Sequence, residues 1–280
     1  MKQGLLVLLI LLLSACQPAM VTSTFTPTAI SKVSSQGPTL SPTLTSTPER
    51  IIPTPQPTPT KVLWEVCSPL EEETFETLPL ILVNPLDIPD FGQDTGHHGV
   101  DFAYFQRGER ESIQGIEIYA ILSGKIVTTL ADGIPYGNAV IIETPLKDLP
   151  TELAEHLLDS YLPVPEDPHY RLNCPVVEPP KLTGDYSVYH LYAHMETPSP
   201  LEPGQVISCG MKLGTVGNSG YSSNPHLHLE TRLGPSGANF SSMAYYETTC
   251  TIEEMANYCL WRMSGYYQLF DPFLLFNYQP

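Results

Sequence analysis

Residues 213–230 read Leu213-Gly214-Thr215-Val216-Gly217-Asn218-Ser219-Gly220, then Tyr221-Ser222-Ser223-Asn224-Pro225, then His226-Leu227-His228-Leu229-Glu230. The last five residues alternate polar and apolar, the period of a half-buried strand. Residues two apart on a strand face the same way, with Cα atoms about 6.6 Å apart. His226 and His228 are therefore predicted to point into one cavity, with Leu227 and Leu229 packed on the opposite face. The glycines ahead of them let backbone come close to whatever lies there.

Working outward, short β-rich runs separated by Gly, Pro and Asn recur from Val62 onward, at 100–105, 117–120, 124–129, 139–143, 187–194, 212–216 and 226–232. Many short strands with few helical patterns predict a mainly β chain, a compact antiparallel β domain. Two helices interrupt it. Residues 151–162 place Leu153, Leu157, Leu158 and Tyr161 on one face, and 251–263 open on Thr251-x-x-Glu254, a capping box, with Ile252, Met255, Cys259 and Met263 on one stripe. That second helix would hold Cys250 and Cys259 about 12 Å apart, beyond the roughly 7 Å a disulfide spans. The two are predicted not to pair with each other.

The 280 residues include 13 Lys and Arg against 30 Asp and Glu, a formal charge of −17. No nucleic-acid partner is expected of such a chain, because phosphate binding needs basic clusters. Between Gln17 and Thr60, 26 of 44 positions are Pro, Thr or Ser, too few apolar groups to offset the ordering entropy. Ahead of this stretch, Lys2 and the apolar run from Leu5 to Leu13 lead to Ser14, Ala15 and Cys16. A basic start, a short apolar core and small residues describe a secretory signal rather than a membrane span. Leu13-Ser14-Ala15-Cys16 also resembles the bacterial lipobox, which implies a lipid on Cys16 and attachment to a membrane. The expected organisation is a lipoprotein signal peptide over 1–15, a disordered Thr/Pro-rich tether over 16–61, and a folded domain over 62–280. The protein is then extracytoplasmic and lipid-anchored at the cell envelope. Without residues 1–60 the domain keeps 10 basic and 29 acidic residues. Cys67, Cys174, Cys209, Cys250 and Cys259 are an odd number for an oxidising setting, and none forms a C-x-x-C pair.

Six of the eight histidines fall in three places, at His97-His98, His190/His194 and His226/His228. In a straight strand His97 and Asp101 would lie about 13 Å apart, too far to share one metal. The backbone must bend between them, and Gly99 is placed to allow it. His98 reads as a flanking residue. His190 shares a strand face with His194 and is either a supporting or a packed residue, and Glu230 reads as supporting.

The order of these motifs resembles the lysostaphin/LytM-type zinc metallopeptidases, the glycyl-glycine endopeptidase family. The likeness covers residues 90–232 and a closing Asp271-Pro272 that looks like the family's last strand. It rests on His97-His98-Gly99-Val100-Asp101-Phe102, Tyr119-Ala120, Gly124-Lys125-Ile126-Val127, Tyr136-Gly137-Asn138, Tyr192-Ala193-His194-Met195, Pro203-Gly204-Gln205-Val206, Gly217-Asn218-Ser219-Gly220 and Pro225-His226-Leu227-His228-Leu229-Glu230. The resemblance implies the family's duplicated hybrid motif fold and one zinc ion per chain, held by His97, Asp101 and His228. His194 and His226 are then the catalytic, non-ligating histidines, one taking the water's proton and the other binding the oxyanion. The implied substrate is the peptide part of bacterial cell-wall peptidoglycan. Relatives that only activate other wall hydrolases lose metal ligands, and here all five residues are present. Two segments, 144–185 and 234–268, exceed the family's usual connections. Each holds a predicted helix and at least one cysteine, so disulfides are expected to pin them, and the pair either walls the substrate groove or decorates the surface.

Overall fold

The structure is a computed structural model that describes residues 64–278. The expected signal segment 1–15 and the whole expected tether 16–61, Cys16 included, lie outside the described residues. The strands are β1 (Leu82–Asn84), β2 (Val100–Phe102), β3 (Glu117–Tyr119), β4 (Gly124–Gly133), β5 (Gly137–Pro145), β6 (Tyr186–Met195), β7 (Val206–Ile207), β8 (Lys212–Thr215), β9 (Leu227–Pro235) and β10 (Gln268–Phe270). Helix α1 spans Thr151–Ser160, α2 spans Ile252–Arg262 and α3 spans Phe273–Phe276. The fold is mainly β, and every pairing is antiparallel. The larger sheet runs β1-β2-β9-β6-β5-β4-β7, with β10 also on β9, and β3 pairs with β8 in a small second sheet.

Alternation along β9 sorts its side chains between two layers. Leu227, Leu229 and Leu233 join Val100, Phe102, Val140, Ile142, Val188 and Tyr192 in the core that also takes Ile118 and Leu213 from the small sheet. On the other face Ile141, Tyr189, Leu191 and Ala193 pack under Phe240, Met243, Tyr258, Trp261 and Tyr267, all supplied by residues 234–268. His228, Glu230 and Arg232 stand between the leucines in sequence and are buried as well.

Both expected helices form, with narrower apolar stripes than expected. In α1 only Leu153 and Leu157 are buried, and Leu158 is 41% exposed. Two residues one turn apart suffice because α1 lies against the aliphatic core along a single line. It therefore joins the core around the leucines of β9. In α2 the capping box forms as expected between Thr251 and Glu254. Its first turn is held by polar contacts, Glu253 and Glu254 accepting from Ser241 and Ser242, so Ile252 is 76% exposed and the buried residues are Tyr258, Cys259 and Trp261. The expected closing strand at Asp271-Pro272 falls earlier, in β10, where Phe270 pairs with Thr231. Pro272 instead opens α3, suited by its fixed φ to a helix start, and the Asp271 carboxylate accepts a hydrogen bond from the Phe273 N–H at 2.9 Å.

Cys67 pairs with Cys209, Cys174 with Cys259, and among the described residues Cys250 has no disulfide partner, so Cys250 and Cys259 are unpaired with each other. The second bridge joins the two long segments 144–185 and 234–268 to each other. In the chain-entropy picture, closing loops of 142 and 85 residues removes denatured-state freedom worth about 4.5–5 kcal/mol for either loop alone.

Gly99 acts differently from the expected bend. It is not in the left-handed region. A Cβ at this position would meet the Leu229 carbonyl oxygen at 2.5 Å and His228 Cε1 at 3.0 Å, so its bare backbone lets β2 close on β9. Gly99→Ala is expected to cost about 1–3 kcal/mol by overpacking and to separate Asp101 from His228. Urea unfolding of the two proteins checks this, and equal midpoints would count against the close approach.

Candidate metal centre

Strand register builds the centre. Asp101 on β2 lies directly opposite His228 on β9, and Ala193 on β6 lies opposite His228 from the other side. His97 sits just before β2, fixed by two backbone hydrogen bonds to Asp87 at 2.8 and 3.0 Å. The result brings His97 Nε2 within 3.1 Å of Asp101 Oδ1 and 3.2 Å of His228 Nδ1, and His228 Nδ1 within 2.8 Å of Asp101 Oδ1.

Outer hydrogen bonds decide which atom of each residue faces inward. His97 Nδ1 is 2.9 Å from the Pro85 carbonyl, which can only accept, so Nδ1 carries the proton and Nε2 turns a lone pair inward. His228 Nε2 donates to Glu230 Oε1 at 3.2 Å, leaving Nδ1 inward. Asn84 Nδ2 donates to Asp101 Oδ2 at 3.2 Å and leaves Oδ1 for the centre. Two imidazole nitrogens and one carboxylate oxygen thus converge, each fixed by a partner behind it, as is usual for metal ligands. Tetrahedral donors with bonds of about 2.0–2.2 Å to zinc would lie about 3.3–3.6 Å apart, a few tenths of an ångström beyond the spacing here. These residues fit zinc, and three ligands leave one position open.

Charge favours a cation at the same place. Burial works against the Asp101 carboxylate, but the His228 and His97 rings beside it hold its carboxyl well below the usual range. Burial also opposes a charged His228, yet Asp101 and Glu230 on its two nitrogens outweigh that and push the imidazole up to about 9. A metal entering here takes the place of that proton.

The other two expected histidines stand alongside. The rings of His194 and His226 are 4.6 Å apart, that of His194 is 5.8 Å from His228, and His226 Nε2 is 3.5 Å from Asp101 Oδ1. His194 has φ +59°, an uncommon conformation for a non-glycine residue, at the end of β6. It is held by hydrogen bonds from its N–H to the Tyr136 carbonyl and from the Gly217 N–H to its own carbonyl. Its Nδ1–H donates to the Ser219 carbonyl at 2.8 Å, and His226 Nδ1–H donates to the Asn224 carbonyl at 2.8 Å. Both therefore offer Nε2. Burial first, then His228 and His226, pushes the His194 imidazole down to about 3, so it is neutral near pH 7. The glycine-rich approach does what the sequence suggested: a Cβ on Gly217 would strike the Glu196 backbone at 2.3 Å. Ser219 is pinned by hydrogen bonds to the Met195 carbonyl and the Asn138 N–H.

His98, Glu230 and His190 do not join this group of inward-facing atoms. His98 is buried and neutral, its imidazole pushed down to about 2 by burial and by Arg262 and Arg232. Its Nε2 faces the Thr95 carbonyl, and its Nδ1 accepts from Arg232 at 2.9 Å. Glu230 is fully buried and supports His228, as expected of it. His190 is a packed residue, hydrogen-bonded to Thr144 and Tyr192 in the core. Sequence reasoning passed over Asn84, Ser219, Trp261, Arg232 and Arg262. The available signal was the run His228, Glu230, Arg232 on one strand face, a buried charged row that requires partners. Among the described residues a second group, Glu65 with Cys67 and Cys209, also clusters, but its sulfurs form a disulfide and offer no thiolate.

Burial pushes the His190 imidazole down to about 3. The unfolded chain takes up a proton near the ordinary value of about 6.5 that the folded one refuses, so this group costs stability as pH falls below that value. Between pH 7 and pH 5 the wild type should lose about 2 kcal/mol more than His190→Gln. Urea titrations at both pH values test this, and parallel losses would contradict the neutral buried ring.

Residues 181–240 match the family model "Peptidase family M23", a stretch that holds His194, His226 and His228 and covers about a fifth of the chain. A search of curated proteins gave no match. Among solved structures, the catalytic domain of the antimicrobial peptidase lysostaphin from Staphylococcus simulans is 20% identical, covering 60% of this chain and 91% of that one, with a TM-score of 0.33. A zinc containing peptidase from Vibrio cholerae is 18% identical over 54% of this chain, with a TM-score of 0.31. The chain spans only 32% of that protein's length. The segment matched in sequence is the part of this chain that carries three of its five site histidines and aspartates, and the family it matches is a peptidase family.

Proposed function

We propose that this chain is a zinc-dependent endopeptidase of the M23, lysostaphin/LytM type, hydrolysing peptide cross-links of bacterial cell-wall peptidoglycan. The observation that carries the reading is the convergence of His97 Nε2, Asp101 Oδ1 and His228 Nδ1 beside two further imidazoles that are turned to the same place. The family match over 181–240 supports the reaction class.

In this reading His97, Asp101 and His228 hold one zinc ion. Zinc bound there supplies a Lewis acid, polarising the scissile carbonyl and making water acidic enough to attack near neutral pH. One of His194 and His226 would take the proton of the attacking water on Nε2 and pass it to the leaving amine nitrogen, and the other, entering the step with a proton from solvent on Nε2, would donate a hydrogen bond to the oxygen of the tetrahedral intermediate. Ser219 and Asn224 keep the two rings turned so that Nε2 is the reacting nitrogen. Glu230 keeps His228 in the tautomer that ligates through Nδ1.

The same proposal places the domain outside the cytoplasm, carried on the 16–61 tether from a lipid on Cys16 after removal of residues 1–15. Two disulfides agree with an oxidising compartment. A flexible chain of that length reaches roughly 35–40 Å, suited to a substrate a short distance from the membrane.

The test is zinc content and release of peptide ends from purified peptidoglycan by the full chain, with His228→Ala and His194→Ala. Wild type is expected to hold one zinc and release ends. His228→Ala should lose the metal, and His194→Ala should keep it while turnover falls about 100-fold or more. Zinc binding without cleavage of any wall type would replace this reading with that of a regulator of another hydrolase.

A further inference from the structure

The 234–268 segment reaches the metal centre through one carboxylate. Glu230 is fully buried, and all four of its acceptor positions are taken. Oε1 accepts from Tyr136 Oη at 2.7 Å and His228 Nε2 at 3.2 Å. Oε2 accepts from Arg232 Nε at 2.8 Å and from the indole Nε1 of Trp261 at 3.0 Å. Burial works against this charge, but Arg232 and His228 keep it ionised.

Arg232 is itself positioned by the same segment. Its Nη1 donates to the carbonyls of Trp261 and Tyr267, both at 2.9 Å, and its Nη2 donates to His98 Nδ1. The guanidinium lies 4.8 Å from the Trp261 ring centre. Next along α2, Arg262 is tied to Asp94 at 2.6 Å and reaches Tyr136 Oη at 3.3 Å. Of the groups that fix the far oxygen of Glu230, one belongs to α2 directly and the other is held in place by α2 and the chain after it.

We infer that Trp261 is a positioning residue for His228, acting through Glu230. The inference rests on the zinc reading of His97, Asp101 and His228. With its indole N–H on Oε2, the carboxylate plane is fixed and Oε1 stays on His228 Nε2. The imidazole then keeps Nδ1 toward Asp101 and His97. Without that N–H the carboxylate has one fewer restraint, and the His228 ring and its basicity toward a metal change with it. The 234–268 segment is on this account part of the metal centre's support and not an appendage to it.

The experiment measures zinc affinity by chelator competition and the visible absorption of the cobalt(II)-substituted full chain. Trp261→Phe removes the N–H. A second variant, with β-(3-benzothienyl)alanine at position 261, removes it while keeping the shape of the ring. Phe240→Leu is the control. Phe240 packs edge-on against Trp261 at 5.5 Å in the same layer, and the described hydrogen bonds of Glu230 do not include it. Both position-261 variants are expected to weaken zinc about tenfold and to shift the cobalt bands. Phe240→Leu should lower the melting temperature and leave zinc affinity and spectrum unchanged. Wild-type affinity and spectrum in the benzothienyl variant would overturn the inference, as would an equal loss of zinc in Phe240→Leu. A wild-type chain that binds no zinc would overturn the functional reading and this inference together. A chain that binds zinc but cuts no wall leaves both readouts intact.

Discussion

A row of three polar side chains on one face of the central strand governs this structure. His228, Glu230 and Arg232 follow one another at the two-residue period of β9, and every one is buried. A buried carboxylate and guanidinium are tolerated only when nearly every donor and acceptor on them has a partner. The leucines on the opposite face make the usual aliphatic core and impose no such condition. The polar face does, and the partners come from two sources: an indole N–H and two carbonyls from the aromatic layer over it, and the Tyr136 hydroxyl and the neutral His98 imidazole from outside the 234–268 segment. The cluster of His97, Asp101 and His228 lies at one end of this row, so its outer support and the packing of the second layer are one arrangement.

Register does the rest of the work. Antiparallel pairing of β2 with β9 places Asp101 across from His228 without any loop having to fold back. A slip of one residue would send Asp101 to the opposite face. Gly99 protects that register by letting the two backbones meet where a side chain would hold them apart.

The mainly β class, the capped α2 and the pairs His226/His228 and His97/Asp101 were legible in short-range signals, whereas His194 and the division of the five into ligands and neighbours came only through the resemblance to a known family. The period of two at 226–230, the His97-x-Gly99-x-Asp101 spacing and the Thr251-x-x-Glu254 box all act within a few residues. The apolar stripes were read less well. Ile252 and Leu158 sit at the right helical period and still face solvent, because the period says which side is apolar but not how far along its length a helix is covered. The closing strand was displaced by a few residues for a similar reason, since the dipeptide Asp271-Pro272 marks a chain reversal and does not say which element it ends. The roles of Trp261 and Arg262 were out of reach. They contact residues about 30 to 170 positions away, and nothing local in α2 distinguishes a tryptophan that donates to a carboxylate from one that merely fills a core.

The two disulfides overlap along the chain, one spanning 67 to 209 and the other 174 to 259. A single backbone cut anywhere from 67 to 259 therefore frees no fragment: up to 174 the first bridge retains both pieces, beyond 209 the second does, and between those points both do. His97, Asp101, His228 and both neighbouring histidines lie inside that interval. A nicked molecule would remain one covalent body with these five residues still joined together, so the domain can survive a clip in its long exposed connections that would dismantle a chain held by packing alone.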